Sequence, residues 1–465
     1  MDSSTGATIA LNDLAGRQRL VLIRTSNGAT IQSNQFDTRP LGLNGEVFSG
    51  GALFEWAGLE IQSSWQAVVS GNGFRDVARA DQEPFNAMRF VDVKNPSFPS
   101  QPGAQVSTNI VVGNRSGARS ENANLSIQES RFDSTLTGVV GTGSDILTLQ
   151  NDTFHTALQG GCLRATSASS ITLTASWFQG CTAGVAHAVV VSGGFFRVQQ
   201  STFMDNRAAV AHSGTSFSAT GNTVSGAGFS PAPGDTLVAQ AALEATALAI
   251  TIAQNTLTGH RFNAGIKAAG GLFTARIDSN LVSTNSLGLL LGSLSSVSAR
   301  DNEIFDNTPA GAVNQSASNV DLPQTWWGDG RGPRGLADSA ATGDSLVGNV
   351  NPGGWNTGPR SIGTVAAAVR TVRGDGQSAP RNTALPRLFT VRVVDATGRP
   401  VAGVSVTFRI ASGGGSFGGS NQLKIDTDAN GLAEARMTLG TTPGVNTATA
   451  TASGLNTLTF TATGT

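Results

Sequence analysis

The chain has 465 residues, with a formal net charge of −1, 13% charged residues and 39% hydrophobic residues. Apolar residues at this frequency exclude a disordered chain, and the lack of a basic arm or charge block argues against a nucleic-acid partner. No apolar run reaches the length of a membrane span, so the sequence predicts none.

A three-residue marker recurs along the first two thirds of the chain: a polar residue, any residue, then a large apolar residue. Over residues 1–120 it predicts irregular coils. Residues 1–6 before it contain no apolar leader, so we expect the chain to be a segment of a longer secreted protein. The members of the marker in this region are Asn34-x-Phe36, Asn72-x-Phe74 and Ser97-Phe98.

The marker becomes regular over residues 121–323, where its apolar members follow one another at intervals of 21 to 33 residues. A period in the twenties is typical of a solenoid. Short alternating segments precede most markers and are separated by Ser, Asn, Asp and Gly, which predicts strands and turns. The members are Ser130-x-Phe132, Asp152-x-Phe154, Ser176-x-Phe178, Ser201-x-Phe203, Asn222-x-Val224, Asn255-x-Leu257, Ser279-x-Leu281 and Asn302-x-Ile304.

Two or three short strands in each repeat predict a parallel β-helix of about twelve coils, on the order of 55–60 Å long. We expect the apolar markers to form ladders that point inward. We expect the aligned Ser, Asp and Asn to lie at bends, where short polar side chains bond to nearby backbone. The long interval between Val224 and Leu257 contains an insertion, whose tip we place as a loop at residues 227–235.

The solenoid ends in a closing segment at residues 324–360. Residues 324–328 read Gln-Thr-Trp-Trp-Gly, and Gly-Pro follows at 332–333. Together with the coils, this ending resembles the right-handed parallel β-helix repeat proteins of the pectate-lyase-like superfamily, over roughly residues 15–360. The resemblance implies an all-β fold with a right-handed, single-stranded parallel β-helix over residues 1–360.

A linker at residues 361–367 separates the β-helix from a different pattern. Residues 368–465 contain alternating strand segments with frequent turn signals, such as residues 388–401 and 403–408, and predict a β-sandwich. The region is similar to the bacterial Ig-like domain of the invasin and intimin type, including Gly-Asp-Gly-Gln at 374–377. The resemblance implies a spacer module of a bacterial surface or secreted protein.

Two cysteines fall in neighbouring predicted coils. Cys162 is the apolar member of a recurring pair of a small and an apolar residue, so we expect it in the core. Cys181 lies near a bend, at a different place in the next coil. The offset favours buried thiols over a disulfide. Two cysteines alone leave the compartment open.

Three polar residues fall at one predicted register in consecutive coils. His187 and His212 both follow their apolar marker by nine residues, and Arg164 holds the same position after its small-apolar pair one coil earlier. Equivalent positions in a β-helix are about 4.8 Å apart, so these side chains are predicted to form a line that would bind an acidic sugar chain or place a base beside it. The alternative is that they are ordinary, partly solvated residues at a coil edge.

Two further motifs allow more than one interpretation. Trp326 and Trp327 would form a stacking platform for a sugar, or they would close the core at the end of the solenoid. Arg373-Gly374-Asp375 matches an integrin-type tripeptide, but the start of the Ig-like pattern already accounts for its Gly and Asp.

An enzyme built on this fold would need clustered acids. Most glycosidases use a pair of carboxylates, and a pectate-type lyase uses a Ca²⁺ cluster of acids with an Arg or Lys base. The acids of the middle coils do not recur at one register, and Asp152, Asp278 and Asp301 occupy or flank predicted bends. The sequence therefore names no catalytic residue, metal ligand or cofactor, and Ca²⁺ enters only with the lyase alternative.

The sequence favours a non-enzymatic extracellular or cell-surface bacterial protein whose β-helix and Ig-like spacer serve adhesion, surface display or self-assembly into a fibre. Expected partners are a polysaccharide or a cell-surface component, and neighbouring copies of the same protein, because open coil ends favour strand pairing. The alternative is a polysaccharide lyase or glycoside hydrolase acting on an acidic polysaccharide in a lateral groove of the β-helix.

Overall fold

The computed structural model divides the chain into two compact units. The first unit comprises residues 1–278 with 289–298, and the second comprises residues 279–288 with 299–465. The tip predicted for the insertion lies outside the described residues except for Phe229. The described residues are 6–15, 21–37, 56–75, 85–97, 101–113, 116–143, 145–155, 157, 161–181, 185–226, 229, 241–260, 263–270, 273–335, 340–360, 365–396 and 398–465.

Every helix or strand among the described residues is a β-strand, as the all-β prediction requires. The first twenty-three strands are β1 (Thr8–Ala10), β2 (Asp13–Ala15), β3 (Val21–Arg24), β4 (Thr30–Gln32), β5 (Gln35–Asp37), β6 (Trp56–Gln62), β7 (Ala67–Ser70), β8 (Gly73–Arg75), β9 (Phe85–Val91), β10 (Ala104–Ser107), β11 (Ile110–Val112), β12 (Ser116–Glu121), β13 (Asn124–Gln128), β14 (Arg131–Asp133), β15 (Thr137–Thr142), β16 (Ile146–Gln150), β17 (Thr153–His155), β18 (Leu163–Thr166), β19 (Ser170–Thr174), β20 (Trp177–Gln179), β21 (Val189–Ser192), β22 (Phe195–Gln199) and β23 (Thr202–Met204). The remaining strands are β24 (Val210–Thr220), β25 (Thr223–Ser225), β26 (Ala241–Ala253), β27 (Thr256–Thr258), β28 (Ala264–Ala269), β29 (Ala275–Asp278), β30 (Leu281–Ser283), β31 (Leu287–Leu291), β32 (Val297–Ser298), β33 (Glu303–Phe305), β34 (Ala310–Asn314), β35 (Val320–Asp321), β36 (Leu346–Val347), β37 (Val350–Asn351), β38 (Ala368–Arg373), β39 (Gln377–Ala379), β40 (Phe389–Val394), β41 (Ser405–Ser412), β42 (Gln422–Asp426), β43 (Leu432–Ala435), β44 (Gly444–Ala452) and β45 (Leu458–Gly464).

Each coil of the first unit passes through three parallel strands, which stack into three rows. The long strands β24 and β26 run through both the front and the back row. This arrangement is the parallel β-helix predicted from the repeat. The front row contains β1, β4, β7, β10, β13, β16, β19, β22, β29 and β32; the narrow sheet contains the three-residue strands β2, β5, β8, β11, β14, β17, β20, β23, β25 and β27; the back row contains β3, β6, β9, β12, β15, β18, β21 and β28.

The apolar markers of the first unit point into the core and stack on one another. Phe132, Phe154, Phe178 and Phe203 are paired in consecutive strands of the narrow sheet, and each is at most 1% exposed. Their ring centroids are 4.7 to 4.9 Å apart, which is the spacing of neighbouring strands. The predicted inward ladder is confirmed, and it fixes the register, because a slip of one residue would turn every ring outward.

The polar markers form a second ladder, here called the polar ladder, at the bend before each narrow-sheet strand. The Oδ1 of Asn72 accepts a hydrogen bond from the backbone N–H of Asn34 (2.9 Å), and the N–H of Asn72 donates to Oδ1 of Asn109 (3.0 Å). The residue before each member is left-handed, as at Gly71 (φ 63°) and Thr108 (φ 52°). The predicted bends are confirmed. The members in the first unit are Asn34, Asn72, Asn109, Ser130, Asp152, Ser176, Ser201, Asn222 and Asn255.

One predicted marker in the N-terminal coils is wrong. Asn109 takes the ladder position, and Val111 pairs with Phe74 on one side and Phe132 on the other. The prediction had placed this marker at Ser97, and its partner Phe98 lies outside the described residues.

A second marker is shifted by one residue, in the second unit. Val282, not Leu281, pairs with Ile304. Ser279 supplies the left-handed residue (φ 62°), so the following residue, Asn280, takes the ladder position. Two adjacent apolar residues after two adjacent polar ones fit the pattern in either register, and backbone geometry selects one.

The closing segment adds one more rung to the second unit. The N–H of Trp326 donates to the carbonyl of Asn302 (2.9 Å), and its carbonyl accepts from the N–H of Ile304 (2.8 Å). Gln324 is left-handed (φ 55°), so Thr325 stands where a ladder residue would. The segment thus repeats the bend of the coils before it.

The C-terminal part of the second unit is a β-sandwich, as predicted for residues 368–465. One sheet has the strand order β38-β40-β43 and the other β39-β45-β44-β41-β42. The pairings are antiparallel except that of β39 with β45. The core between the sheets contains Phe389, Phe408, Met437 and Phe460.

An arginine of the sandwich is buried against the end of the β-helix within the second unit. The side chain of Arg392, on β40, is 1% exposed, and its Nη1 donates to Oδ1 of Asp306 (2.6 Å). Its Nη2 donates to the carbonyl of Gly328. The guanidinium lies 5.0 Å from the ring centre of Phe305 and 5.3 Å from that of Trp326. We call this contact the Arg392 junction.

The boundary between compact units does not coincide with the predicted linker at residues 361–367. Residues 279–288 and 299–360, which are coil and closing-segment residues, group with the sandwich. Arg360 contributes to this grouping: its Nη2 donates to the carbonyl of Ser279 (2.9 Å) and its N–H to Oε1 of Glu303. Within the second unit, the sandwich contacts the last coil through the Arg392 junction.

Cys162 and Cys181 form a disulfide, so the prediction of two thiols is wrong. The predicted burial of Cys162 is correct, at 2% exposure, and Cys181 is 0% exposed. Counting residues from the marker does not predict which side chains meet here, because the connection from the narrow sheet to the back row varies in length. It spans eleven residues from Phe178 to Val189, but nine in the coil before.

The polar ladder makes stability depend on pH at one position. Asp152 is 1% exposed, and burial raises its pKa to about 7, although the N–H groups of Ser130 and Gln150 bond to its oxygens (2.8 and 3.0 Å). A folded-state pKa above the unfolded value means that stability is full below about pH 4 and is lost as the pH rises to about 7. Asp152→Asn should therefore be more stable than wild type at pH 8 by up to about 4 kcal/mol, with little pH dependence of its own at this site.

Urea unfolding of both proteins between about pH 4 and 8 measures this difference. The contributions of the other titrating groups to the pH dependence are the same in both proteins and cancel in the difference. The reciprocal variant Asn222→Asp, at another rung of the same ladder, should lose stability at high pH. A difference between Asp152→Asn and wild type that stays constant with pH would contradict the assignment.

The Arg392 junction predicts a second stability effect. Arg392→Met leaves the Asp306 carboxylate and the Gly328 carbonyl without their buried donor. Removing one partner of a buried ion pair costs about 3–5 kcal/mol, so the thermal unfolding midpoint of the full chain should fall. Arg409→Met, at an exposed position of β41, is the matched control and should change it little. Equal midpoints for the two variants would show that the junction contributes no stability.

Candidate functional site

The structure does not bring Arg164, His187 and His212 into one line. Arg164 is in register with Val190, whereas His212 is in register with Val191, one position further along the strand. Successive strand residues point to opposite faces, so Arg164 is exposed and His212 is buried. His187 precedes strand β21. The predicted line is therefore wrong.

The error has the same source as that for the cysteines. Leu163, Val189 and Val210 share one register at the start of the back-row strands. They follow their respective Phe markers by nine, eleven and seven residues. Counting a fixed number of residues from the marker therefore reaches a different position in each coil.

His212 is a core residue. Its ring is stacked on that of Phe217, with centroids 5.7 Å apart, and lies 5.8 Å from that of Phe196. Burial lowers the pKa of His212 to about 4, so the imidazole is neutral at pH 7. It is not placed to contact a polymer on the surface.

The paired tryptophans are also internal. The side chains of Trp326 and Trp327 are both 0% exposed. Trp326 packs with Leu281 and Phe305 beneath the guanidinium of Arg392, and neither tryptophan offers a surface on which a sugar could stack.

His187 belongs to a charge group that is largely buried, with Glu244 and Lys267. Nε2 of His187 lies 3.4 Å from Oε2 of Glu244, and Nζ of Lys267 lies 2.7 Å from Oε1. Partial burial opposes ionisation of Glu244, but the bonds from His187 and Lys267 hold its pKa down at about 2. Glu244 is thus a carboxylate at any physiological pH and is unsuited to act as a general acid.

This group lacks the second carboxylate that most glycosidases use. Among the residues that the structure describes, no three His, Cys, Asp or Glu side chains are arranged to hold a metal ion. In the described part of the back row, His187, Glu244 and Lys267 form an ion-paired cluster.

A different surface carries the most unusual exposed residue. The first and third residues of each narrow-sheet strand point outward, on either side of the inward marker. We call the outward residues of this sheet in the first unit the outer ribbon. Its first positions are Gln35, Gly73, Ile110, Arg131, Thr153, Trp177, Thr202, Thr223 and Thr256, and its third positions include Arg75, Val112, Asp133, His155, Gln179, Met204, Ser225 and Thr258.

Trp177 is the large aromatic residue of the outer ribbon and is 42% exposed. Its neighbours in the same row are Thr153 and Thr202, which are too short to cover an indole. Ile110, 54% exposed, stands in the same row three strands away, or about 14 Å. Apolar surface is thus spaced along the ribbon, whose third positions add Val112 and Met204.

A charge-balanced group lies between these two apolar residues. Oδ2 of Asp133 accepts from Nη2 of Arg131 (2.9 Å), and Oδ1 lies 3.4 Å from Nδ1 of His155. Partial burial raises the pKa of Asp133, but the bonds from Arg131, Ser134 and His155 outweigh this and lower it. Asp133 therefore offsets the charge of Arg131 on the ribbon.

The outer ribbon also contains a shallow hollow of about 240 Å³. It is lined by Gln35, Gly73, Arg75, Thr108 and Ile110, among others. Glycine at position 73 leaves room for the side-chain amide of Gln35, which would have to shift if a Cβ were present there. The hollow lies in the same row of positions as Trp177.

Sequence reasoning missed Trp177 although its position is in the marker. Trp177 is the middle residue of Ser176-x-Phe178, and the middle residue was treated as unspecified. Because Phe178 points inward, strand alternation requires Trp177 to point outward. That alternation was the available signal.

The tripeptide at residues 373–375 is held within the sandwich. Nη2 of Arg373 donates to Oε1 of Glu434 (3.0 Å), and Oδ1 of Asp375 accepts from the N–H of Thr461 (2.7 Å). Both charged ends therefore have structural roles at the start of the Ig-like module.

Comparison with known proteins identifies this module. The family model of the bacterial Ig-like domain (group 1) matches residues 372–465. The C-terminal module is a bacterial Ig-like domain. No curated protein matches the chain.

The solved structures similar to parts of the chain include invasin, intimin and a glucanase. The bacterial integrin-binding protein invasin is 31% identical over 22% of this chain and 18% of its own, with a TM-score of 0.17, and the D00-D0 domain of intimin is 22% identical over 25% and 58%, with a TM-score of 0.16. The catalytic unit of a GH87 α-1,3-glucanase from Streptomyces thermodiastaticus is 12% identical over 77% and 65%, with a TM-score of 0.32. The chain thus spans about a fifth of the invasin structure.

The part of the chain that the structure describes contains no apolar helix of membrane-crossing length. Its regular elements are all strands.

The charge group on the back row predicts a pH-dependent contribution to stability. Since the pKa of Glu244 is lowered to about 2, its stabilisation is full above about pH 4.5 and is lost as the pH falls towards 2. Glu244→Gln should lower the free energy of unfolding by about 1 kcal/mol at pH 7, and the difference should shrink below about pH 4. Urea unfolding of wild type, Glu244→Gln, Lys267→Met and the double variant forms a double-mutant cycle. If the two single changes in unfolding free energy add up to that of the double variant, the two side chains do not interact.

Proposed function

We propose that the chain belongs to an extracellular or cell-surface bacterial protein, in which the β-helix is a non-catalytic display surface for adhesion and the Ig-like domain is its carrier. The observation that carries the proposal is the bacterial Ig-like domain at residues 372–465. Modules of this type, as in invasin and intimin, serve mostly in bacterial surface and secreted proteins.

The disulfide supports an extracellular location. Cys162 and Cys181 are both buried and bonded to each other. Disulfides form and persist in oxidising compartments and are rare in the cytosol of most bacteria. The described part of the chain has no free cysteine.

The lateral chemistry supports contact rather than catalysis. Outward positions of the front row are mostly hydroxyls and amides, which can bond to many polar partners without ionising. The acidic side chains that would suggest an enzyme have structural partners. Asp152 accepts a backbone hydrogen bond at a bend, and Glu244 forms an ion pair with Lys267. The outward residues at one register of the front row are Thr30, Val68, Gln105, Ser126, Thr148, Thr172, Arg197, Ser218 and Thr251.

The Arg392 junction refines the role of the Ig-like domain. We propose that this domain holds the last coil as well as carrying it. A solenoid end exposes unpaired backbone and apolar side chains, and natural solenoids cover such ends. In the second unit, Arg392 and Arg360 supply bonds to coil residues that would otherwise face solvent.

Localisation and redox state test the proposal together. In the bacterium that makes the protein, an antibody against the Ig-like domain should label intact cells or the culture medium. Alkylation of the denatured protein should detect thiols at Cys162 and Cys181 only after reduction. Finding the chain in the cytosol with both thiols free would contradict an extracellular role.

A hydrolase or lyase is the second candidate, with the group His187, Glu244 and Lys267 as the place where a carboxylate meets a histidine and a lysine. The purified full chain should release no reducing ends or unsaturated products from neutral or uronate polymers. If product release is abolished in Glu244→Gln but kept in Asp133→Asn, the enzymatic function would replace our proposal.

Self-assembly into a fibre is tested by sedimentation of the purified chain at rising protein concentration.

A further inference from the structure

We propose that the outer ribbon binds a linear, neutral polysaccharide and that Trp177 is the platform on which a sugar ring stacks. The inference names a partner class for the adhesion proposed above and rests on that proposal only for access to the polymer. It concerns a different surface from the one predicted at Arg164.

The first step is the exposure of the indole. Trp177 stands at the outward position of a strand whose next residue, Phe178, is fully buried, so its direction is fixed by the core. No aromatic neighbour covers it within the row, since Thr153 and Thr202 stand on either side. An exposed indole offers both an apolar ring and a polar N–H group. A sugar ring has apolar C–H faces and hydroxyl groups at its edges, so it can contact both.

The second step is the set of polar groups around the ring. The row neighbours supply hydroxyls about 4.8 Å away, and the third positions supply the imidazole of His155 and the amide of Gln179. Hydroxyls, an amide and an imidazole both donate and accept hydrogen bonds, as sugar hydroxyls do.

The third step is the shape of the surface. The outer ribbon is two outward side chains wide and continues over ten strands of the first unit. Its equivalent positions repeat about every 4.8 Å. A ribbon of this kind matches an extended polymer lying across the strands, and Ile110 with the hollow at Gly73 extends the contact along the same row.

The fourth step is the charge. No ribbon position within one strand of Trp177 carries a permanent charge. A carboxylate adjoins the same strand, since Oδ2 of Asp205 accepts a hydrogen bond from Nε2 of Gln179 (3.1 Å). Arg131, two strands away, is offset by Asp133. A carboxylate beside the platform repels uronate, so the site favours neutral sugars.

Affinity electrophoresis of the purified full chain tests the site. The gels contain a panel of neutral polymers (α- and β-linked hexans, mannan, xylan) or of acidic ones (polygalacturonate, alginate). We expect at least one neutral polymer to retard the wild-type protein. Trp177→Ala should weaken this binding at least about tenfold, the usual effect of removing a binding hot spot. Trp177→Phe should retain part of it.

Phe195→Ala is the matched control. Phe195 is an aromatic residue, 58% exposed, but it lies on the front row and outside the ribbon. Both alanine variants should keep the wild-type unfolding midpoint, so a loss of binding confined to Trp177→Ala reports the site. Tryptophan fluorescence gives a second readout: a shift on binding in wild type should vanish in Trp177→Phe.

Three results would overturn the inference. These are no retardation by any neutral polymer, retardation by acidic polymers alone, or equal binding by Trp177→Ala and Phe195→Ala. The experiment uses purified protein, so none of them bears on where the protein resides. A cytosolic location would in turn leave the binding result standing.

Discussion

The backbone hydrogen bond from each coil to the polar ladder of the next coil is the contact on which the rest of the fold depends. At each bend a left-handed residue, such as Thr108 or Gln200, turns the chain sharply. The N–H that follows would be buried without a partner, and the next ladder side chain accepts it, as Ser201 does for Ser176 (3.2 Å). Because this bond fixes the register, the Phe markers meet ring on ring.

That constraint decides which residues are free for function. In a narrow-sheet strand the ladder residue and the central marker are committed to the bend and to the core. Acids that fall there, such as Asp152, are structural even when burial raises their pKa. What remains free are the outward residues beside the marker, which the fold orients but does not specify. In such a fold, candidate functional residues are found at the outward positions of the strand, because the other positions of the motif have structural roles.

The sequence predicts those features that depend on a local pattern. The ladders, the bends, the closing tryptophans and the sandwich all follow from residues within a few positions of each other. The predicted line of Arg164, His187 and His212 was misplaced because the length of the connection to the back row changes from coil to coil. Arg164 and His212 fall at different registers, and Cys162 and Cys181 meet, although a fixed residue count predicts otherwise. Such lengths are set by tertiary packing and leave no mark in the repeat.

The first outward residue of a narrow-sheet strand is exposed at Trp177 in the first unit but buried in the second unit. In the second unit the corresponding outward residues Leu281 and Trp326 are at most 2% exposed, and they cluster with Phe305 under the guanidinium of Arg392. Apolar residues at this position are thus tolerated when something covers them. Trp177 has the same place in its coil without such a cover among the described residues. An exposed indole at a position that elsewhere serves as a contact surface is the observation from which we propose a partner outside the chain.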